Sequence, residues 1–193
     1  YALYSEYIPN TDLVNYIQES GGTYLYENLY TLPLGFVLPY DLADNWQYQM
    51  ENPAEVQNDL CLLLGTDDVL VPVETEVSGS GCTFTADMAG EYYVYIQNKK
   101  VKNVKASLPS GEKNFSNVDR GYLLEMGNLS EGSRITLTPG ESGETLTAAV
   151  YRFSPRAMIQ VYDRLSQSPL HLDDWRDTKL TGTVTAAESG TLF

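Results

Sequence analysis

The sequence predicts a mainly β fold with flanking helices, organised around a jelly-roll or immunoglobulin-like β-sandwich with helix-strand appendages. Between residues 69 and 153, short stretches of β-prone residues alternate with turns rich in glycine, serine and proline. Helical patterns occur only outside this region. With 42% hydrophobic residues among 193, the chain can bury a real core. These features together predict two packed antiparallel sheets.

The expected strands are short and separated by turn signals. In the central region they are placed at 69–77, 82–86, 91–97, 101–108, 121–126, 133–138 and 145–153. The turns between them include 78–81, 88–90, 109–111 and 139–143. Outside the central region, strands are expected at 24–27, 34–38 and 181–186.

Three helices are predicted from capping residues and apolar spacing. The first follows residues 10–12, carries apolar residues at 13, 14 and 17, and ends at the glycine pair 21–22. The second has Asn52 as N-cap and Pro53 at its first position, and it ends at Gly65. The third begins at Ser154 and ends before Pro169.

This pattern divides the chain into three segments. Residues 1–68 form a mixed N-terminal segment, residues 69–153 the β-sandwich, and residues 154–193 a helix-strand unit that packs on the rest. One continuous domain is the open alternative. The abrupt start and the strand-like last residues, 190–193, indicate a piece of a longer protein.

Charge and hydropathy exclude several partners. A formal net charge of −14 repels nucleic acid and anionic lipid headgroups. No apolar run approaches the roughly 18 residues of a membrane span, so direct membrane insertion by this chain is not expected. Tyrosine outnumbers phenylalanine by 15 to 5, a bias that suits half-buried sheet surfaces and interfaces with sugars or proteins.

Cysteine and histidine are scarce. Cys61 and Cys82 are the only cysteines. They either form one disulfide or are free and buried as small hydrophobic residues. His171 is the only histidine, which excludes a metal site with several histidines. It alternates between two leucines, as an outward-facing strand residue does. No metal ion and no cofactor are expected.

Carboxylates are plentiful, but their local arrangement does not identify a catalytic pair. The adjacent or nearby acids are Asp41 with Asp44, Asp67 with Asp68, and Asp173 with Asp174. Such pairs in loops usually form turns or face solvent. A glycosidase pair is defined by its separation across a sugar ring, which spacing in sequence does not give. We therefore predict no catalytic residue.

The two tryptophans lie among polar neighbours, Trp46 within residues 44–48 and Trp175 within 173–177. A tryptophan in such surroundings is expected to be partly exposed and able to stack on a pyranose. The alternative is that each one anchors a flanking segment onto the sandwich.

Three segments resemble the extracellular C-terminal region of bacterial YfhO-like membrane proteins. The first, 24–36, reads Tyr-Leu-Tyr-Glu-Asn-Leu-Tyr-Thr-Leu-Pro-Leu-Gly-Phe, and the second, 52–58, reads Asn-Pro-Ala-Glu-Val-Gln-Asn. The third combines Tyr-Asp-Arg-Leu at 162–165 with residues 175–184 and 190–193. In order and spacing they extend over nearly the whole chain.

The resemblance implies a polytopic parent similar to C-type glycosyltransferases, which use lipid-linked sugars outside the cell membrane. Members of that family are implicated in adding sugars to teichoic or lipoteichoic acids. Their catalytic carboxylate lies in a loop that corresponds to no position here. The resemblance therefore implies a non-catalytic extracellular domain, whose partners are its own transmembrane region and cell-wall glycan or teichoic acid.

The candidate glycan contacts combine this resemblance with residue chemistry. The candidates are Tyr26, Asn28, Trp46, Gln57, Asn58 and Trp175. Gln57 and Asn58 have two possible roles, since a helix start does not need two amides. They bind either a buried loop backbone or a saccharide hydroxyl.

Three functions follow as hypotheses. The first is an accessory domain that positions a glycan or teichoic-acid acceptor for a membrane glycosyltransferase. The second is a structural or protein-interaction module of the cell envelope, which predicts an exposed apolar patch. The third, and weakest, is a glycoside hydrolase, which needs two carboxylates facing each other in a cleft.

Overall fold

The fold is described from a computed structural model that covers residues 1–9, 11, 13–187 and 189–192. Strands account for 46% of the chain and helices for 15%, and the sheets are antiparallel, which confirms the predicted mainly β class. Contacts divide the chain into two compact units. The terminal unit combines the described parts of 1–45 and 155–193, and the central unit is Trp46–Ser154. The three predicted segments stay a prediction.

The N-terminal part of the terminal unit contains a three-stranded sheet. Its elements in chain order are β1 (Ala2–Tyr4), β2 (Val14–Ser20), β3 (Thr23–Asn28), β4 (Val37–Pro39) and the short helix α1 (Leu42–Asn45). The first three pair in the order β1-β3-β2. The strand expected at 24–27 is confirmed as β3. The strand expected at 34–38 is shorter and begins at Val37.

The prediction of a helix after residues 10–12 is wrong. Residues 14–20 form β2, which pairs with β3 from Val14↔Asn28 to Ser20↔Thr23. Gly21 and Gly22 have φ of +59° and +78°, the backbone of a two-residue hairpin turn. A glycine pair after an apolar stretch is compatible with either a helix C-terminus or a hairpin turn. Here the pairing of β2 with β3 makes it a hairpin turn. The predicted capping residues Asn10 and Asp12 lie outside the described residues.

The predicted second helix is confirmed and opens the central unit. This helix, α2, spans Pro53–Leu64. The Asn52 side chain accepts a hydrogen bond from the Ala54 N–H, and Gly65 ends the helix with φ +69°. Ala54, Cys61 and Leu64 are buried along one side of it.

Two antiparallel sheets form the rest of the central unit. The strands are β5 (Leu70–Val73), β6 (Thr75–Ser78), β7 (Gly81–Thr85), β8 (Gly90–Ile96), β9 (Asn103–Leu108), β10 (Gly111–Ser116), β11 (Leu124–Leu129), β12 (Arg134–Pro139) and β13 (Ala148–Phe153). A short 3-10 helix at Val118–Arg120 precedes β11. The sheets have the strand orders β10-β9-β12-β7-β6 and β11-β8-β13-β5.

Two features of this sandwich differ from the predicted strands. The single strand expected at 69–77 is two strands, because the chain passes from one sheet to the other at Glu74. The edge strand β10 was not predicted, since Gly111–Ser116 is mostly polar and exposed and shows no apolar alternation. Polar edge strands of this kind protect a sheet from pairing with other chains.

The sandwich core lies between the inner faces of the two sheets. It includes Phe84 from one sheet and Tyr92 from the other, whose rings stack with centroids 5.9 Å apart. Ile96, Leu124 and Ile135 are also fully buried there. Burial of such side chains stabilises each by about 1.5–3 kcal/mol relative to exposure.

The C-terminal part of the terminal unit confirms the predicted third helix and last strand. Its elements are α3 (Pro155–Leu165), β14 (Leu170–Arg176), β15 (Lys179–Val184) and β16 (Gly190–Leu192). Strands β14 and β15 form a hairpin, and β16 pairs with β4.

The two cysteines are both free and buried, so the structure favours the reading as small hydrophobic residues over the disulfide. Burial raises the pKa of the Cys82 thiol to about 11, which makes it a poor nucleophile. Among the described residues, no helix has the length and apolar character to cross a membrane.

Candidate functional site

Five tyrosines gather on one side of the N-terminal sheet. Tyr24 and Tyr26 lie two residues apart on β3 and therefore project from the same side. Tyr4 is directly opposite Tyr24 on β1, and Tyr16 is directly opposite Tyr26 on β2. Tyr7, which follows β1, contacts Tyr16 and Tyr24. We call this surface the tyrosine face.

The rings of the tyrosine face form a connected cluster. Centroid distances are 5.3 Å for Tyr4–Tyr26, 5.5 Å for Tyr7–Tyr16, 5.9 Å for Tyr7–Tyr24 and 5.7 Å for Tyr16–Tyr26. Aromatic pairs at these distances contribute about 0.5–1.5 kcal/mol each. Tyr4, Tyr7 and Tyr16 are nevertheless 39%, 57% and 37% exposed. The cluster is therefore self-supporting and also open to a ligand.

Tyr26 is the buried member of the tyrosine face, and its ring is not accessible to solvent. It is fully buried, and its hydroxyl donates to the Ile8 carbonyl and accepts from the Ile8 N–H, at 2.8 and 2.7 Å. Asn28, the other candidate on β3, lies on the same side of the strand. Asn28 is exposed, and its Oδ1 accepts from the Tyr30 N–H at 3.1 Å.

Trp175 belongs to an amphipathic hairpin formed by β14 and β15, which we call the Trp175 hairpin. A bulge after Leu172 keeps Leu172 and Trp175 on the same side of β14. Trp175 is directly opposite Leu180 on β15. The exposed fraction is 75% for Trp175, 38% for Leu172 and 47% for Leu180. The other side of the hairpin carries polar residues, namely His171, Asp174, Arg176, Lys179, Thr181 and Thr183. The hairpin thus exposes one apolar face.

The remaining candidates lie at α2 in the central unit. Trp46 is half-buried, and its Nε1–H donates to the Val56 carbonyl of α2 at 2.9 Å, so it contacts the helix as an anchor would. Gln57 is exposed. Asn58 binds backbone: its Nδ2 donates to the Leu70 carbonyl at 2.7 Å and its Oδ1 accepts from the Leu70 N–H at 3.1 Å.

A cavity of about 310 Å³ lies beside the start of α2 and was not predicted. Its lining residues are Met50, Glu51, Asn52, Glu55, Tyr95 and Gln97. The Asn52 Nδ2 donates to the Tyr151 hydroxyl at 2.6 Å and to Glu55 Oε1 at 3.1 Å. Lys99 donates to the Tyr95 hydroxyl at 2.6 Å. Because Asn52 and Tyr151 are far apart in sequence, their contact had no local signal beyond the helix capping at Asn52.

A larger cavity, of about 420 Å³, lies where β5 passes into β6. Glu74, Glu76 and Asp87 are among its lining residues. Two of these acids are paired, Glu76 with Arg134 at 3.4 Å and Asp87 with Arg152 at 3.2 Å. Burial raises the pKa of Asp87, but the Tyr92 hydrogen bond and the Arg152 charge outweigh that effect and lower the pKa overall. Tyr92 and Arg152 thus favour the ionised form of Asp87 at this cavity.

The lowered pKa of Asp87 predicts a dependence of stability on pH. A carboxyl group with a depressed pKa in the folded state stabilises the protein above its unfolded pKa, and this stabilisation is lost as the pH falls through the folded value. We expect the free energy of unfolding of Asp87→Asn to fall less steeply than that of the wild type between roughly pH 4 and pH 2. Urea unfolding across this range measures the difference. The exposed Asp68→Asn should keep the wild-type slope, and equal slopes for both variants would refute the assignment.

The predicted carboxylate pairs lie on the surface. Asp41 accepts from the Asn45 side chain, and Asp174 pairs with Arg176 at 2.9 Å. Asp67 and Asp68 are exposed between α2 and β5, and His171 is exposed on β14. In the part of the chain that the structure describes, no group of three or more His, Cys, Asp or Glu side chains is placed to hold a metal ion.

Comparison with protein-family models, with curated proteins and with solved structures found no match to this chain. The tyrosine face combines exposed aromatic rings with a self-supporting arrangement, and the Trp175 hairpin offers a second exposed aromatic surface in the same unit.

Proposed function

We propose that the chain is a non-catalytic, extracellular glycan-binding domain of a glycosyltransferase-like polytopic membrane protein. The tyrosine face holds the glycan and positions it as an acceptor. The membrane parent is supported by the three resembling segments. One observation carries the binding role: Tyr4, Tyr7 and Tyr16, which belong to one connected cluster of rings, are each more than a third exposed.

Saccharides suit such a surface because tyrosine presents a flat apolar ring together with a hydroxyl. The ring contacts the apolar C–H face of a pyranose, and the hydroxyl exchanges hydrogen bonds with sugar hydroxyls. Asn28, exposed on the same side of β3, adds an amide donor to this surface. The resembling segment at 24–36 supplies Tyr24, Tyr26 and Asn28, so the resemblance and the surface coincide.

Removal of Tyr7 tests this role. Tyr7→Ala is expected to weaken saccharide binding about three- to tenfold, because one aromatic contact contributes about 0.5–1.5 kcal/mol. Titration calorimetry with a panel of cell-wall oligosaccharides measures the change. Tyr40→Ala is the matched control, since Tyr40 is 77% exposed in the same unit and lies outside the tyrosine face. Equal affinities of the two variants, or no binding by the wild type, would reject the proposal.

The second candidate function is a protein-interaction module, which the Trp175 hairpin favours. Its exposed apolar face is the kind of patch that protein interfaces cover. Trp175→Ala separates the two roles of this hairpin. A loss of glycan affinity would assign Trp175 to the saccharide surface, and unchanged affinity would leave the hairpin face for a protein.

A further inference from the structure

The charges of the chain are distributed very unevenly. The first 98 residues contain 15 aspartates and glutamates and no lysine, arginine or histidine. All strands of the N-terminal sheet lie within this stretch. The tyrosine face is therefore built on strands without any basic side chain. These strands offer no basic side chain to a ligand with phosphate or carboxylate groups, whereas their acidic side chains attract a cationic ligand.

Three of the rings, Tyr7, Tyr16 and Tyr24, form a triangle. The centroids are 5.5 Å apart for Tyr7–Tyr16, 5.9 Å for Tyr7–Tyr24 and 6.5 Å for Tyr16–Tyr24. A cation that lies over the face of an aromatic ring, within about 6 Å of its centroid, is attracted by the ring. An ammonium group above the centre of the triangle would lie within that distance of all three centroids.

The orientations of the ring planes favour a compact cation over the flat face of a sugar ring. The interplanar angles within the triangle are 72°, 66° and 50°, so the three rings point in different directions. A pyranose stacks flat on only one such ring at a time. A compact ammonium group can approach several of them together, as in the aromatic cages that bind quaternary ammonium ligands.

An acidic residue pairs in register with one member of this triangle. Glu19 is directly opposite Tyr24 in the β2–β3 pairing and projects from the same side of the sheet. It is exposed, and its Oε1 accepts from the Gly22 N–H at 2.9 Å, which fixes the position of the charge. Aromatic rings and a fixed negative charge together suit a protonated amine.

We propose that the Tyr7–Tyr16–Tyr24 triangle binds the protonated amine of an amino sugar, with Glu19 as counter-charge. This inference rests on the proposed glycan-binding function and specifies its ligand class. Glucosamine units with free amines are bound, and N-acetylated or phosphate-bearing units are bound more weakly.

The test compares two tetrasaccharides with the same backbone, one of glucosamine and one of N-acetylglucosamine. Affinities are measured by calorimetry at about pH 5.5, where the free amines are protonated. We expect the glucosamine tetramer to bind about tenfold more tightly. Tyr7→Leu keeps the charge and apolar bulk of the site but removes one aromatic ring, and it should abolish most of this preference. Glu19→Gln should reduce the preference, and Glu131→Gln, an exposed acid of the central unit, should not.

The outcomes separate this inference from the proposed function. Equal binding of both tetramers by the wild type would overturn the amine site and leave the glycan-binding function intact. A preference that persists undiminished in Tyr7→Leu would show general attraction to the acidic chain and would also overturn it. No binding of either tetramer or of the wider saccharide panel would reject both proposals.

Discussion

Replacement of Asn58 by alanine is expected to lower the free energy of unfolding by about 3 kcal/mol. The Asn58 amide binds both the N–H and the carbonyl of Leu70, a residue that is only 3% exposed. Leu70 lies on β5, which is the edge strand of its sheet and pairs with β13. Without Asn58, two buried backbone groups lose their partners, and each such loss costs about 1–3 kcal/mol. Chemical denaturation measures the change.

Gln57→Ala provides the control, because Gln57 is the neighbouring amide on the same helix and is exposed. Its cost should stay within about 0.5 kcal/mol, as is usual for surface substitutions. Alanine favours helix at both positions, so propensity does not explain a difference between them. If the two variants are equally stable, the Asn58–Leu70 hydrogen bonds do not hold β5 against α2.

The elements that could be predicted from sequence are those with local signals. Helix α2 has its N-cap, its proline and its terminal glycine within 14 residues, and the structure places each of them as expected. The strands of the sandwich could be predicted because turns interrupt the β-prone stretches regularly. The mainly β fold therefore followed from short-range chemistry.

The errors occur where a distant partner decides the structure. Residues 14–20 have no strong preference of their own, and their pairing with β3 makes them a strand. Strand β10 is mostly polar and becomes a strand through its pairing with β9. Neither partner could be identified from local sequence.

The same limit applies to the candidate site. The tyrosine bias was evident in the composition, but the face arises from the pairings Tyr4↔Tyr24 and Tyr16↔Tyr26. Shifting β2 by one residue would turn Tyr16 to the opposite side of the sheet. Sequence reasoning therefore identified Tyr26 as a contact, whereas its exposed neighbours Tyr7 and Tyr16 were missed.

Substitution of Gly81 by alanine is expected to destabilise the sandwich by about 2–3 kcal/mol. A Cβ at this position would lie 2.0 Å from the Leu137 carbonyl oxygen of β12 and 3.1 Å from its carbon. Both atoms belong to the backbone, so a side-chain rotation does not relieve the overlap. Strands β7 and β12 must move apart next to their Cys82↔Leu137 pair, and overpacking of this kind costs about 1–3 kcal/mol.

Gly79, which lies in the turn between β6 and β7, is the matched control. Its φ is +61°, but beyond its own and the two adjoining residues no heavy atom of the described chain lies within 4 Å of a Cβ built there. Gly79→Ala should therefore cost only the conformational strain of a left-handed residue, about 1 kcal/mol. A larger loss of unfolding free energy in Gly79→Ala than in Gly81→Ala would contradict this prediction. The conformation of the turn, and not the close approach of β7 to β12, would then limit stability here. Thermal and urea unfolding of both variants decide between the two.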